Sequence, residues 1–290
     1  MRSGFTSRVS RTNNIPSGIQ GLVEQRRSQR INAQPSSGKW SPLSIANLWF
    51  DAKEGSSFGM SGAAIQTWTD KKYGLSLSKQ NGGGFYTVNG QQFVSFLNGP
   101  RMYNTIGPGI LPEQDQQSTI AIVIGYSITS GYTALAAGYG PSSGWDRCIY
   151  HNASVYFGVA PSTVTAGGSV AAAYGSFPNN FTSPHILIGS HFDKRFNNGI
   201  NFRINGVDIM QSYSYSSSGY QRPTAGSNSY VSLGADPVAN YGYSAFACGD
   251  VLFCGQLGLA EIQKLEGYLA HKWNATSRLD NSHPYKGKKP

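Results

Sequence analysis

Residues 260 to 274 read AEIQKLEGYLAHKWN, the most helical passage in the chain. Ile262, Leu265, Leu269 and Trp273 recur at steps of three, four and four, which sets them along one stripe of a helix. Glu261 stands in the first turn and His271 and Lys272 in the last, the order the helix dipole favours. Gly267 in mid-helix costs about 1 kcal/mol against alanine, so it is expected to allow close packing on the body. An apolar stripe must cover something. A brace over 260–273, lying on the edge or end of a β-sheet, is therefore predicted.

The sequence before it reads as strands and turns. Charged residues are only 13%, while Gly numbers 36, Tyr 17 and Phe 14, a mixture suited to pleated surfaces and tight turns. At 290 residues the chain is long enough for one large domain with extensions. STIAIVIGYSI (118–128) and ILIGSHF (186–192) are β-branched runs fit for central strands. INFRINGVDIM (200–210) places two alternating segments around Asn205-Gly206, the pair that tolerates positive φ at both centres of a type I′ hairpin turn. QQFVSFLNG (91–99), YVSLGAD (230–236) and FACGDVLFCGQL (246–257) add further strands. So many strands with one helix imply an all-β sandwich or jelly roll.

Three cysteines, Cys148, Cys248 and Cys254, do not make a disulfide framework. Cys248 and Cys254 on one extended strand would lie roughly 20 Å apart, so they are expected as reduced, packed thiols. The sequons at Asn152, Asn180 and Asn274 lack a secretory context and are taken as coincidence.

The formal charge of +9 is unevenly spread. Residues 1–39 carry seven Arg or Lys against Glu24 alone, a net of +6, and residues 272–290 carry five against Asp280, a net of +4. The span between them nets −1. The first 39 residues hold few large apolar groups, so an extended anchoring arm is expected, with Arg2, Arg8, Arg11, Arg26, Arg27 and Arg30 as its partner-anchoring residues. No apolar run follows the early arginines as in a secretory signal, and no run reaches the length of a membrane span, so no membrane partner is expected. The Arg-rich, acid-poor start has the look of an organelle transit peptide, a reading set below the anchoring arm.

Five short motifs in order carry a family resemblance. LWFDAKEG (48–55), TWTDKKYG (67–74), VNGQQFVSFLNG (88–99), FRINGVDI (202–209) and AEIQKLEGYLAHKWN resemble the concanavalin A-like, laminin-G-like jelly-roll domains, in the version found in phage structural and bacterial surface proteins. The resemblance covers about 43 to 275. It implies a jelly-roll β-sandwich at 43–275 with a C-terminal helix, an extended basic arm at 1–42 and a basic tail at 276–290. In the family, the 202–209 segment corresponds to a ligand-side hairpin.

Catalysis has no candidate. Retaining glycoside hydrolysis needs two carboxylates flanking one bond, whereas the acids of the body look scattered singly, and Glu261 and Glu266 point to different faces of the helix. Asp51 and Asp70 sit in turns where lectin relatives often hold calcium, but hydrogen bonding to nearby backbone amides is the reading preferred for both, so no cofactor is expected. His185 and His191 lack a third ligand and are read as ordinary strand residues. The segment 211–245 supplies Tyr213, Tyr215, Tyr220, Tyr230, Tyr241 and Tyr243 among Ser, Gly and Asn, a composition suited either to recognition, by stacking on sugars or against a subunit, or to lining a strand face and filling loop bases.

The function expected is a non-enzymatic virion structural protein, assembled in the host cytoplasm as a capsid-surface decoration, head-fibre or tail component. Its arm, up to roughly 130 Å long if extended, would bind other virion proteins, and a homo-oligomer follows. The alternative is a carbohydrate-binding adhesion module that recognises host-surface glycans. A second alternative is a coat protein whose basic arm contacts nucleic acid.

Overall fold

The computed structural model describes residues 40–80, 83–97, 101–107, 109–111, 117–128, 133–140, 147–152, 156–159, 172–174, 180–191, 200–209, 212–214, 229–234 and 246–290. The chain divides into two units, Met1–Trp40 and Ser41–Pro290, and the architecture here is that of the second. Its strands are β1 (Ala46–Phe50), β2 (Phe58–Ser61), β3 (Ala64–Thr69), β4 (Ser76–Gln80), β5 (Phe85–Val88), β6 (Gln91–Ser95), β7 (Arg101–Ile106), β8 (Ser118–Ile128), β9 (Thr133–Gly140) and β10 (Arg147–Asn152). There follow β11 (Tyr156–Val159), β12 (Ala172–Tyr174), β13 (Asn180–Phe181), β14 (His185–His191), β15 (Ile200–Ile204), β16 (Val207–Asp208), β17 (Ser212–Ser214), β18 (Ser229–Leu233) and β19 (Phe246–Cys254). The single α-helix among the described residues, α1 (Leu259–Lys272), comes after them, as predicted to within a residue.

The strands form two large antiparallel sheets. One runs β16-β15-β14-β8-β19-β6-β5, with β1 also paired to β19 and β13 to β8; the other runs β11-β10-β9-β18-β7-β4-β3-β2. β12 and β17 pair separately. The β-branched run at 118–128 is β8, and together with β19 it forms the middle of the first sheet.

Strand register sorts the core residues into layers. Leu48 pairs with Phe253 and Phe50 with Val251, while Ile122 lies opposite both Val251 and Leu187. These side chains face the second sheet, where Trp68, Leu77, Met102, Val231 and Leu233 are buried. Phe50 meets Trp68 edge-on across that gap, with ring centroids 5.7 Å apart. The alternate set, in which Trp49 pairs with Leu252 and Ala121 lies opposite Leu252 and Ile188, faces the other way, toward α1. Trp49 meets Tyr268 of the helix edge-on at 6.0 Å.

This layering explains why a helix follows the last strand. Sheet two covers one side of β19 and α1 the other, so all nine of its residues are buried. A strand covered on both faces reads as a continuous apolar run rather than an alternating one. The predicted stripe of Ile262, Leu265, Leu269 and Trp273 is buried to within 1%. Trp273 seats over Gly249 of β19, where an added Cβ would come 2.5 Å from the indole ring.

Gly267 does allow a close approach, but its neighbour was not foreseen. A Cβ there would lie 2.3 Å from the Cβ of Tyr285, which belongs to the segment predicted to be a basic tail outside the domain. That segment instead packs as part of the body. Leu279 and His283 are buried, Asp280 N–H donates to Asn205 O, and His271 Nε2 lies 3.0 Å from Tyr285 O. Its lysines suggested a solvated tail, but three apolar or aromatic anchors just before them, Leu279, His283 and Tyr285, outweigh that charge.

The Asn205-Gly206 turn is formed as predicted, with φ of 51° and 86° between β15 and β16. Asn89-Gly90 makes a second turn of the same kind between β5 and β6, with φ of 49° and 75°. Cys248 and Cys254 are buried on β19, and burial raises both their pKa values, that of Cys254 to about 12.

Candidate functional site

The outer face of the second sheet is built by alternation. On β7, Met102 and Ile106 turn into the core, which sends Arg101, Tyr103 and Thr105 outward. On β4, Leu77 is buried and Ser78 and Gln80 lie on the outer side. Register then aligns Thr67, Ser78, Tyr103 and Ser232 in one row across β3, β4, β7 and β18. Ser78 and Thr105 are exposed and Tyr103, Gln80 and Arg101 half-buried, whereas at β18 the face closes over a fully buried Ser232.

Three of these side chains form one network. Gln80 Nε2 lies 2.6 Å from the Tyr103 hydroxyl, and Arg101 Nε donates to Gln80 Oε1 at 2.6 Å. The Arg101 guanidinium also lies 5.6 Å from the Tyr103 ring centroid. The result is an aromatic ring held in place beside a planar cation and a planar amide on an open sheet surface. Such a set can stack against an apolar sugar face while presenting donors and acceptors to its hydroxyls.

The sequence does not single these residues out. Arg101 and Tyr103 alternate with Met102, but RMYNTI is too short and too ordinary to mark a surface, and Gln80 joins only through strand pairing. Of the tyrosines predicted as a recognition loop, Tyr230 lies on β18 opposite Thr105, beside this face in register, and Tyr213 lies on β17 opposite Ala173. Tyr215, Tyr220, Tyr241 and Tyr243 lie outside the described residues, as do Arg2, Arg8, Arg11, Arg26, Arg27 and Arg30 of the arm.

The acids are not scattered singly, which corrects the expectation from sequence. Asp51, at the end of β1, and Asp250, in β19, meet at Lys272: Nζ lies 2.5 Å from Asp51 Oδ1 and 2.7 Å from Asp250 Oδ2. Lys71 Nζ reaches Asp51 Oδ2 at 3.1 Å, and Lys53 N–H donates to Asp51 Oδ1 at 2.9 Å. Asp70 accepts backbone N–H groups from Trp49, Lys72 and Tyr73 at 2.6–3.1 Å. Neither acid suits calcium, because ammonium groups and peptide N–H groups occupy the oxygens a hard cation would need. Backbone hydrogen bonding, the preferred reading, describes Asp70, whereas Asp51 has one such bond, from Lys53 N–H, beside its two lysine ion pairs. Among the described residues no group of three His, Cys, Asp or Glu side chains is arranged to hold a metal ion.

A second buried charge cluster ties α1 to the hairpin. Glu266, fully buried, accepts from Arg203 Nε at 2.9 Å and lies 3.2 Å from His283 Nε2. Arg203 also donates to Gly206 O, so the hairpin that the family resemblance made ligand-side is pinned beneath the C-terminal segment. Glu261, on the other face of the helix, accepts from Gly258 N–H at 3.0 Å. His185 is a packed strand residue: burial, with the Arg278 charge beside it, pushes its pKa down to about 4 against the hydrogen bond to Ser183 O, so it is neutral at pH 7. His191 occupies a strand position opposite Ser118 and Ile200.

No family model and no curated protein sequence matches the chain. Solved structures do. A mutant of Trypanosoma rangeli sialidase displaying trans-sialidase activity is 12% identical and aligns over 88% of this chain and 39% of its own, with a TM-score of 0.53. The binding domain of botulinum neurotoxin serotype D/C is 12% identical and aligns over 79% of this chain and 53% of its own, with a TM-score of 0.52. The chain is a two-sheet β-sandwich of the kind these proteins contain. At that identity the likeness is one of fold, and the sandwich spans well under two thirds of either relative's length. Among the described residues no helix is long and apolar enough to cross a membrane.

Proposed function

We propose that the sandwich is a non-catalytic glycan-binding module of the concanavalin A-like jelly-roll type, and that it binds on the open face of its second sheet. The observation that carries this reading is the Arg101–Gln80–Tyr103 network, an aromatic ring and two planar polar groups fixed by hydrogen bonds of 2.6 Å on a surface that no described helix covers. The fold it shares with a toxin binding domain and with a sialidase supports a recognition role. Fold alone assigns no function, so the weight rests on the side chains.

A panel of neutral and acidic oligosaccharides tested against the full chain should yield a binder. Tyr103→Ala and Arg101→Ala should each weaken that binder by about tenfold or more, the loss expected for one stacked ring or one charged hydrogen bond. Both residues are half-exposed, so unfolding temperatures should hardly change. A panel with no binder, or variants that bind as the native chain does, would refute the assignment.

The uneven charge favours a second reading, which extends the first. A net of +6 over residues 1–39 suits an arm that fastens the sandwich to a virion assembled inside the host cell, leaving the open sheet to face outward. Removing those residues should leave a folded, soluble sandwich that no longer enters particles, and normal incorporation would count against the arm.

A further inference from the structure

The Asp51–Asp250–Lys272 cluster contains the groups needed for a covalent bond. Lys272 Nζ lies 3.0 and 2.7 Å from the two oxygens of Asp250, so the nitrogen is held against that carboxyl group. Asp51 Oδ1 approaches the same nitrogen from another side at 2.5 Å. Trp49 Nε1–H donates to Asp250 Oδ2 at 3.1 Å. Asp250 is fully buried, Asp51 is 4% exposed, and the buried Trp49 ring lies 5.0 Å from Lys272 Nζ. Lys272 closes the last turn of α1 and Asp250 lies in β19, so a bond here would fasten the terminal helix to the central strand of the sheet.

We propose that Lys272 and Asp250 form an intramolecular isopeptide bond within the folded chain. The Lys272 ammonium gives a proton to the Asp51 carboxylate 2.5 Å away, and the freed amine attacks Cγ of the Asp250 carboxylic acid. Trp49 Nε1–H steadies the negative charge that grows on Asp250 Oδ2, as an oxyanion donor does. The C–O bond to the other oxygen then breaks. The nitrogen gives up a proton, that oxygen leaves as water, and Asp51 relays the proton between them. One amide, one water and a protonated Asp51 replace one ammonium, one carboxylic acid and one carboxylate, with no oxidant or cofactor consumed.

The acid–base balance of the pair fits these roles. Burial raises the Asp250 pKa to about 6 despite the pull of Lys272, and the neighbouring Asp51 charge adds to the rise. A protonated carboxyl is the form that can acylate an amine. Burial also works against the Asp51 charge, but Lys272, Lys71 and the Lys53 N–H outweigh it and keep that carboxyl below its usual range, in the form that takes a proton. Proximity of this kind is what turns a slow bimolecular condensation into a feasible intramolecular one.

The test is the intact mass of the full chain after purification and denaturation. A mass one water below that of the sequence is expected, with fragmentation joining the peptide that carries Asp250 to the one that carries Lys272. Lys272→Arg and Asp250→Ala should restore the full mass, and Asp51→Asn should restore it while leaving both bonded partners in place. A native chain of full mass overturns the proposal even if every variant fails to fold. A link from Lys272 to Asp51 overturns the assigned roles, and water loss that persists in Lys272→Arg places the chemistry elsewhere.

Discussion

Trp273→Ala is expected to destabilise the sandwich by about 3–5 kcal/mol, the range for emptying a fully buried aromatic site. Its indole has no exposed surface, lies 4.5 Å from the Phe93 ring, and fills the hollow left by Gly249. Lys53 Nζ sits 4.6 Å from the ring centroid, so deletion also removes a cation–π contact. The indole N–H is buried without a hydrogen-bond partner among the described residues, which puts the loss in packing rather than in hydrogen bonding. Trp273→Phe should therefore recover much of the stability. Denaturant unfolding measures both variants, and a Trp273→Ala cost below about 1 kcal/mol, the level of an ordinary surface change, would mean the helix does not seal the sheet.

Arg203→Ala should have a comparable effect for a different reason. The substitution leaves the Glu266 carboxylate fully buried with His283 as its remaining side-chain partner among the described residues, and removing one partner of a buried ion pair costs about 3–5 kcal/mol. Replacing both partners together, as Arg203→Met with Glu266→Leu, should cost clearly less than the sum of the single changes, because no charge is then stranded. A double-mutant cycle by urea denaturation gives that coupling. Simple additivity would show that the pair does not act as a unit. Arg203 lies in the hairpin, Glu266 in the helix and His283 in the C-terminal segment, so the cycle also measures how firmly the three are joined.

Elements that depend on local pattern were legible in the sequence. The stripe from Ile262 to Trp273 identified the helix and its buried face, Asn205-Gly206 identified a hairpin, and the β-branched run at 118–128 identified a central strand. The continuous burial of 246–254 follows once the helix is known to need a sheet beneath it. Contacts between distant segments were not legible. Asp51 and Asp250 are far apart in sequence and come together only because β1 pairs with β19, with Trp49 opposite Leu252 and Phe50 opposite Val251. The body's acids therefore looked solitary.

The C-terminal segment misled through its composition. Lys286, Lys288 and Lys289 dominate the count, while the residues that decide its place are Leu279, His283 and Tyr285, none of them part of a periodic pattern. The open sheet face was hidden for a related reason. Gln80, Arg101 and Tyr103 lie on two strands whose pairing, with Ser78 opposite Tyr103 and Gln80 opposite Arg101, cannot be inferred from either strand alone. Alternation showed which residues of a strand share a side, but not which side remains open.

The claim that joins fold to function is that one sheet is sealed by α1 and the C-terminal segment while the other leaves Tyr103 accessible. Brief oxidative footprinting of the full chain, read residue by residue by mass spectrometry, tests it most directly. Tyr103 should be modified readily, while Trp49 and Trp273 should remain protected until the chain unfolds. Modification of Trp273 at a rate matching Tyr103, or protection of Tyr103 in the free protein, would contradict the account.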